Sequence, residues 1–347
     1  MTRRAGRSRR RRPSWAGADT KTLLGLRLCD LGVSLAGTPV QARIERIHEE
    51  LARRRLLFKP HFWVSDEWFC PAGVPGVAVP FYLTHPRLVR LERAMMLEAE
   101  GSSHRECMRI LRHEVGHALD HAFHLSRRRD WRRHFGKSSK RYPVTYRPKP
   151  SSRKYVQHLA AWYAQAHPDE DFAETFAVWL TPRSNWRKRY DKWPALKKLL
   201  YVDALMEEIA GRRPPTMNRR RVDAISGIKL TLRGHYERKQ KFYSKDYPDL
   251  YDRALLRLFS LAAEHRGRER ASSFVRRIAP ELRRRVAYWT GESQYTLDQV
   301  LTEIIGRCQE LDLRVVGDRR KVKTDLGIVL TMYMMTFLHT TPRRVTL

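Results

Sequence analysis

A His-Glu-x-x-His run at residues 113–117 has residue types and a spacing that could do chemistry. In a helix, His113 and His117 would project from one face, because side chains four positions apart lie one above the other. Both imidazoles could therefore bind one zinc ion, while Glu114 could take a proton from a water on that ion. The pattern is typical of a zinc hydrolase core.

The surrounding residues predict one amphipathic helix that carries this run. A capping box at Ser103 to Glu106 would begin the helix, because a serine caps the N-terminus and a glutamate follows three positions later. Apolar residues then recur at intervals of three and four: Met108, Leu111, Val115, Ala118, Leu119 and Ala122. The histidines lie beside this apolar stripe, where the edge of a core could present them to a ligand.

A catalytic zinc ion usually takes three protein ligands and leaves a fourth position open. His121 is a poor third ligand because it lies about 12 Å along the helix from His113, and His124 is farther still. The metzincin pattern is excluded because it needs glycine and histidine where this chain has Asp120 and Phe123. The third ligand is therefore expected downstream.

Residues 167–180 predict a second helix, with Pro168 at its first position and three acidic residues in its first turn. Glu170 and Glu174 lie four positions apart and face the same way. The earlier carboxylate would bind zinc, and the later one would accept the free N–H of a ligating histidine. An ordinary alternative stays open, since the helix macrodipole favours acidic residues at any helix N-terminus.

These motifs resemble the bacterial putative zinc-binding metallopeptidases, gluzincins that combine His-Glu-x-x-His with a downstream glutamate ligand. The resemblance covers roughly residues 60–210 and is carried by 112–117, Tyr155-Val156 and 163–177. More distantly, the chain is similar to the catalytic domain of anthrax lethal factor. There, a Glu-x-x-x-Glu pair follows the zinc helix and a tyrosine lies seven residues before the ligand glutamate.

The resemblance implies Zn²⁺ as cofactor and a role for each of three residues. Glu170 would be the third zinc ligand and Glu174 would orient a ligating histidine. Tyr163 would stabilise the oxyanion or protonate the leaving amine. Asp169 and Phe172 stand where the family often has aromatic residues. This departure could alter the pocket but leaves every ligand in place.

The composition of the chain is that of a globular protein with two domains. Its 347 residues are 42% hydrophobic and include nine tryptophans, enough to bury one large or two ordinary cores. We expect an α+β fold: a basic disordered tail at 1–15, a mainly helical, gluzincin-like zinc peptidase domain at 16–212, and a helical C-terminal domain at 213–347. The boundary is placed after Arg212, where glycine and proline punctuate the chain.

Two segments rich in aromatic residues and valine, 56–64 and 77–83, predict a small sheet before the zinc helix. In a gluzincin an edge strand aligns the substrate peptide, so 77–83 could have that role or could be an ordinary core strand. Residues 127–154 are dense in Arg, Lys, Ser and Pro and predict a surface excursion near the cleft.

Several features argue against secretion and membrane insertion. The four cysteines are dispersed, without a Cys-x-x-Cys pair, which favours a reducing compartment over a disulfide scaffold. The arginine-rich start is followed by Lys21, Arg27 and Asp30 where a signal peptide needs an uninterrupted apolar run. The longest apolar run, 326–338, is shorter than a membrane span and predicts a buried helix. We therefore expect a cytoplasmic protein without a membrane partner.

The net charge is strongly positive, with 69 Lys+Arg against 37 Asp+Glu and a balance of +32. Such an excess favours phosphate backbones or anionic surfaces through counterion release. The sequence contains no zinc finger, RRM signature or aromatic-flanked RNP run, and a solvated basic surface accounts for the excess about as well.

Three functional hypotheses follow. The first is a zinc endopeptidase or aminopeptidase acting on a peptide or protein substrate, with zinc held by two histidines and Glu170 and with Glu114 as general base. The second is a basic, nucleic-acid-associated protein whose zinc site acts on DNA-bound proteins. The third, an inactive homologue with structural zinc, is disfavoured by the intact Glu114, since a structural site needs no base.

Overall fold

The computed structural model describes residues 13–143, 145–149, 151–243, 252–340 and 343–344. Most of the basic tail expected at 1–15 lies outside these residues. Trp15, however, is buried and donates its indole N–H to the carbonyl of Leu31 at 2.9 Å. Burial of the indole thus joins Trp15 to the first hydrophobic core.

The described residues are mainly helical. Their α-helices are α1 Thr20–Gly25, α2 Pro39–Arg53, α3 Pro86–Met96, α4 His104–Phe123, α5 Arg129–Phe135, α6 Pro168–Leu180, α7 Trp186–Arg189, α8 Ala195–Ile209, α9 Leu232–Tyr243, α10 Asp252–Leu258, α11 Ala271–Thr290, α12 Gln294–Glu310 and α13 Arg319–Thr340. Their strands are β1 His61–Ser65, β2 Gly76–Pro80, β3 Thr145–Tyr146 and β4 Arg343–Arg344. The predicted α+β, mainly helical fold with a small sheet is confirmed.

The two helices expected to carry ligands begin at side-chain caps. Ser103 Oγ accepts the backbone N–H of Glu106 at 3.2 Å, which is the capping box read from the sequence. His167 Nδ1 accepts the backbone N–H of Asp169 at 3.2 Å, and Pro168 occupies the first turn of α6. Both helices therefore begin where the sequence predicts.

The strand β2 is a core strand. It pairs with β1 in parallel, with His61 opposite Gly76. On its other side, Ala78 donates its backbone N–H to the carbonyl of Phe69 at 2.9 Å. All five residues of β2 are buried, and 81–84 form a 3₁₀ helix. Of the two interpretations of 77–83, the structure therefore favours an ordinary core strand. Ala78 has a neighbouring segment on both sides and leaves no open edge for a substrate.

The described residues form two large hydrophobic cores and two small clusters. The first runs from Trp15 to Tyr236 and the second from Leu255 to Met334. Helix α9 belongs with the first, where Lys239 Nζ lies 2.7 Å from a carboxylate oxygen of Glu67. The cores thus divide after α9, which does not coincide with the boundary that the sequence predicts after Arg212.

The structure differs from the sequence prediction at residues 127–154 and agrees with it at residues 326–338. Residues 127–154 are not wholly a surface excursion, because α5 lies within them and buries Trp131 completely. The helix expected at 326–338 is confirmed within α13, with Leu326 and Leu330 buried. Across the described chain, no helix combines the length and the apolar character that crossing a bilayer requires.

Candidate metal centre

Helices α4 and α6 pack against each other at very short range. His117 meets Glu170 and His113 meets Glu174, so the two helices run antiparallel. The close approach depends on Gly116. A Cβ atom at this position would lie 2.9 Å from Ala173 Cα and 3.2 Å from its carbonyl oxygen, distances that leave no room for a side chain. The glycine in the His-Glu-x-x-His run therefore lets the two ligand helices meet.

Three side chains on these helices converge on one point. His113 Nε2 and His117 Nε2 lie 3.1 Å apart, and Glu170 Oε2 lies 3.0 Å from the first and 3.2 Å from the second. His113 and Glu170 are buried, whereas His117 is partly exposed. The predicted ligand set is brought together by the fold, while His124 instead lies 2.9 Å from Thr216 Oγ1 through its Nε2 atom.

The distances and the charge of this cluster fit a zinc ion. Two atoms bound to one zinc at about 2.0–2.1 Å with tetrahedral angles are about 3.3 Å apart, close to the separations found here. Burial disfavours the charged form of His113, but hydrogen bonds to Glu170 and Glu174 outweigh it and raise its pKa well above the usual value. Two carboxylates facing two imidazoles thus require positive charge, which a dication can supply.

Glu174 contacts His113, one of the two histidines predicted to bind zinc. Its Oε1 atom lies 3.0 Å from His113 Nδ1, and its Oε2 atom accepts the backbone N–H groups of Leu159 at 2.8 Å and His158 at 3.3 Å. The carboxylate is therefore anchored by backbone and leaves the Nε2 atom of His113 facing the metal position. This is the arrangement predicted for Glu174 from its spacing.

Tyr142 also contacts the cluster, although the sequence does not predict this contact. Its hydroxyl donates a hydrogen bond to Glu170 Oε1 at 3.0 Å, and its ring stacks on His167 with centroids 3.8 Å apart. Because Oε1 is occupied by this bond, Glu170 presents Oε2 to the metal position. Tyr142 lies in the stretch read as a surface excursion, and no spacing signal links it to Glu170.

Glu114 lies beside the ligands without joining them. Burial raises the pKa of its carboxyl group, and the nearby His113 and His117 oppose that effect. Within the described chain, no protein group donates a hydrogen bond to this carboxylate. The side chain is thus available to a water molecule, and a raised pKa makes a carboxylate a stronger proton acceptor.

Tyr163 also lies next to the cluster. Its ring centroid is 5.7 Å from that of His113, with the planes inclined at 50°. The preceding Trp162 has a φ of 54°, in the left-handed region that non-glycine residues seldom adopt. Strained backbone of this kind persists where the surrounding structure imposes it. The fold thus brings Tyr163 to the site, on a short 3₁₀ helix.

We expect Gly116→Ala to lower the zinc affinity about tenfold or more, because the added methyl group forces α4 and α6 apart and spreads the donor atoms. Unfolding should become easier by about 1–3 kcal/mol. The measurements are zinc competition with a chelator and thermal unfolding. Gly306→Ala is the matched control, since a Cβ there meets nothing within 4 Å and should leave zinc binding unchanged. Unaltered zinc affinity in Gly116→Ala would show that zinc binding does not depend on the close approach of α4 and α6.

Comparison with known proteins bears on the segment that builds this site. Residues 90–187 match the model of a protein family described as putative zinc-binding metallo-peptidase. Neither the curated proteins nor the solved structures give a match, so the likeness to anthrax lethal factor is not supported. The matched residues include both ligand helices, Glu114 and Tyr163. The segment that holds the candidate metal centre therefore resembles a family of zinc-binding metallopeptidases.

Proposed function

We propose that this protein is a zinc-dependent peptidase that hydrolyses peptide bonds with Glu114 as general base. The observation that carries the proposal is the convergence of three donor atoms from His113, His117 and Glu170 beside an unengaged carboxylate. A structural zinc site would instead be closed by four protein ligands and would need no base. Among the described residues, no other cluster of three His, Cys, Asp or Glu side chains could hold a metal.

Each residue of the centre has a separate role in the proposed hydrolysis. Zinc, when bound, would lower the pKa of water and polarise the substrate carbonyl. Glu114 accepts the proton released as water attacks the carbonyl and passes it to the leaving amine as the peptide bond breaks, and its raised pKa favours the first transfer. Glu174 keeps His113 in one tautomer through the contact with Nδ1. Tyr163 donates a hydrogen bond from its hydroxyl to the oxygen on which negative charge develops.

A digest of a peptide library tests the proposed activity. The purified protein should cleave a subset of peptides, lose this activity on chelation, and recover it when zinc is returned. The pattern of new termini would also separate an endopeptidase from an aminopeptidase. Failure to cleave any peptide, with zinc bound at one per chain, would count against hydrolysis and favour the inactive homologue.

The two tyrosines at the site should differ in their effects. Tyr142→Phe removes the bond to Glu170 Oε1 and should weaken zinc binding, by about 10–100-fold if it acts as other residues that orient ligands do. Tyr163→Phe should leave zinc affinity unchanged and lower kcat more than it raises KM, because its hydroxyl acts on developing charge. Chelator competition and steady-state kinetics on both variants check this. Unchanged turnover in Tyr163→Phe would reduce Tyr163 to a packing role.

A second function, association with nucleic acid, is favoured by one surface of the C-terminal domain. Tyr288 and Trp289 at the end of α11 are 76% and 74% exposed, far more than aromatic side chains usually are. Arg284 and Arg285 precede them by four residues each and share their faces of the helix. Exposed aromatic rings beside arginines can stack on bases and contact phosphates of a single strand.

We expect the full chain to bind single-stranded DNA without sequence preference, with an affinity whose logarithm falls linearly with the logarithm of salt concentration. Replacing Tyr288 and Trp289 together by Ser should lower the affinity about tenfold or more by removing stacking. Met217→Ser, at another exposed apolar residue, is the control. Fluorescence anisotropy measures both effects. Absence of binding at about 50 mM salt would make the positive charge a solvated surface.

A further inference from the structure

A cavity of about 490 Å³ lies next to the metal centre, in the same groove between α4 and α6. Arg109 and Arg105 precede His113 by one and two helical turns, and Val178 follows Glu174 by one turn. All three residues line the cavity. Because the helices run antiparallel, the groove passes from the metal ligands, over Glu174, into this space.

The backbone at 158–159 contacts both the metal centre and the cavity. Its two N–H groups hold Glu174, and His158 itself lines the cavity. The His158 imidazole lies 2.9 Å from the carbonyl oxygen of Arg109 through its Nε2 atom, and burial lowers its pKa to about 4. His158 is therefore neutral near pH 7 and adds no positive charge. The permanent positive charge of the cavity comes from its arginines.

The cavity contains three arginines without a carboxylate partner. Arg112 also lines it, but Glu50 pairs with that guanidinium through two hydrogen bonds of 2.8 and 2.9 Å. No carboxylate of the described residues lies within 4 Å of a guanidinium nitrogen of Arg105, Arg109 or Arg189. Burial lowers the pKa of Arg109, and the charges of Arg105 and Arg189 add to this effect, while the charges of Glu174 and Glu106 oppose it. An anion among these arginines would relieve their mutual repulsion.

The volume and lining of the cavity restrict what this anion can be. Arginine forks pair best with planar or tetrahedral oxyanions that accept several hydrogen bonds, and phosphate can serve more than one fork at once. The space lies within the range found for small-molecule pockets. Met108 and Val178 offer apolar contact beside the arginines. The ligand thus needs a dianionic head and room for a small apolar body.

We infer that the cavity between α4 and α6 is a binding site for a small phosphate monoester, held through Arg105, Arg109 and Arg189 with its organic part against Met108 and Val178. This site is separate from the metal centre. Arg105 lies eight residues before His113, about 12 Å along the helix, and is not positioned to contact an anion bound on the metal. The inference does not depend on the peptidase activity.

Isothermal titration of the zinc-loaded full chain with inorganic phosphate and with phenyl phosphate tests the inference. We expect one site per chain and tighter binding of phenyl phosphate, because only the ester reaches the apolar residues. Arg105→Gln, Arg109→Gln and Arg189→Gln should each weaken binding about tenfold or more, as expected when a charge-assisted hydrogen bond is lost. Arg90→Gln, at an exposed arginine of α3, should bind as the unaltered protein does.

Two further measurements keep the outcome decisive. Thermal unfolding of each variant shows whether it is folded, and Arg109→Lys, which retains the charge but not the fork, should bind with intermediate affinity. Equal affinity in the three Gln variants and the unaltered protein would place the phosphate elsewhere, on the metal or on the general basic surface, and would overturn the inference. Absence of phosphate binding at about millimolar concentration would overturn it as well.

Discussion

Glu114→Gln is expected to keep zinc bound while lowering the rate of peptide hydrolysis by about 100-fold or more. The amide has nearly the shape of the carboxylate but cannot accept the proton of the attacking water. Zinc affinity should change little, because the metal is held by His113, His117 and Glu170. Zinc content and turnover, measured on the same preparation, check both parts of this expectation.

The control for this substitution is Glu106→Gln, which removes a carboxylate from the first turn of the same helix, away from the metal ligands. It should leave turnover unchanged. If Glu114→Gln were as active as the unaltered protein, the proposed general base would be wrong. If it lost zinc together with activity, Glu114 would have to be counted among the groups that hold the metal.

Glu170→Ala is expected to abolish tight zinc binding, whereas Glu174→Ala should weaken it by about 10–100-fold. The first substitution deletes a donor atom that lies 3.0 and 3.2 Å from the two histidine nitrogens. The second deletes only the partner of His113 Nδ1 and leaves the donor set intact. Zinc affinity by competition with a chelator separates the two effects.

Asp169→Asn is the matched control, since it removes negative charge from the same first turn of α6 without touching the donor set. Zinc affinity should stay within a fewfold of the unaltered protein. An equal loss in Asp169→Asn and Glu170→Ala would mean that charge at the helix N-terminus, rather than ligation, explains the acidic turn. A larger loss for Glu174→Ala than for Glu170→Ala would exchange their roles.

The parts of the site that the sequence predicts are those set by helical spacing. His113 and His117 are one turn apart, as are Glu170 and Glu174, so each pair had to share a face once its helix formed. The caps at Ser103 and the proline of α6 located the helix starts. What spacing could not supply was the contact between the two helices, which depends on their packing in three dimensions.

Features that depend on that packing were beyond the sequence. Gly116 could be seen as a glycine in a helix, but its closeness to Ala173 appears only when α6 lies on α4. Tyr142 contacts Glu170 from 28 positions away along the chain, a separation at which no helical or strand period relates the two residues. Likewise, the second neighbour of β2 comes from a single bridge at Phe69, which leaves no alternation in the sequence.

Long-range packing also determines which hydrophobic core the segment after Arg212 joins. The glycine and prolines there do break the helix, as their backbone properties require. A break in secondary structure is nevertheless not a break in the core. Buried Ile225, Leu232 and Tyr236 return the chain to the first hydrophobic cluster, and Lys239 pairs with Glu92 at 2.9 Å.

Zinc K-edge X-ray absorption on the purified protein tests whether His113, His117 and Glu170 bind zinc. We expect one zinc per chain with nitrogen and oxygen neighbours at about 2.0–2.2 Å, two of them imidazoles, and no sulfur neighbour. His117→Ala should reduce the imidazole signal or abolish zinc binding. A zinc ion bound through cysteine sulfur, or a protein that takes up no zinc, would contradict the centre assigned to His113, His117 and Glu170.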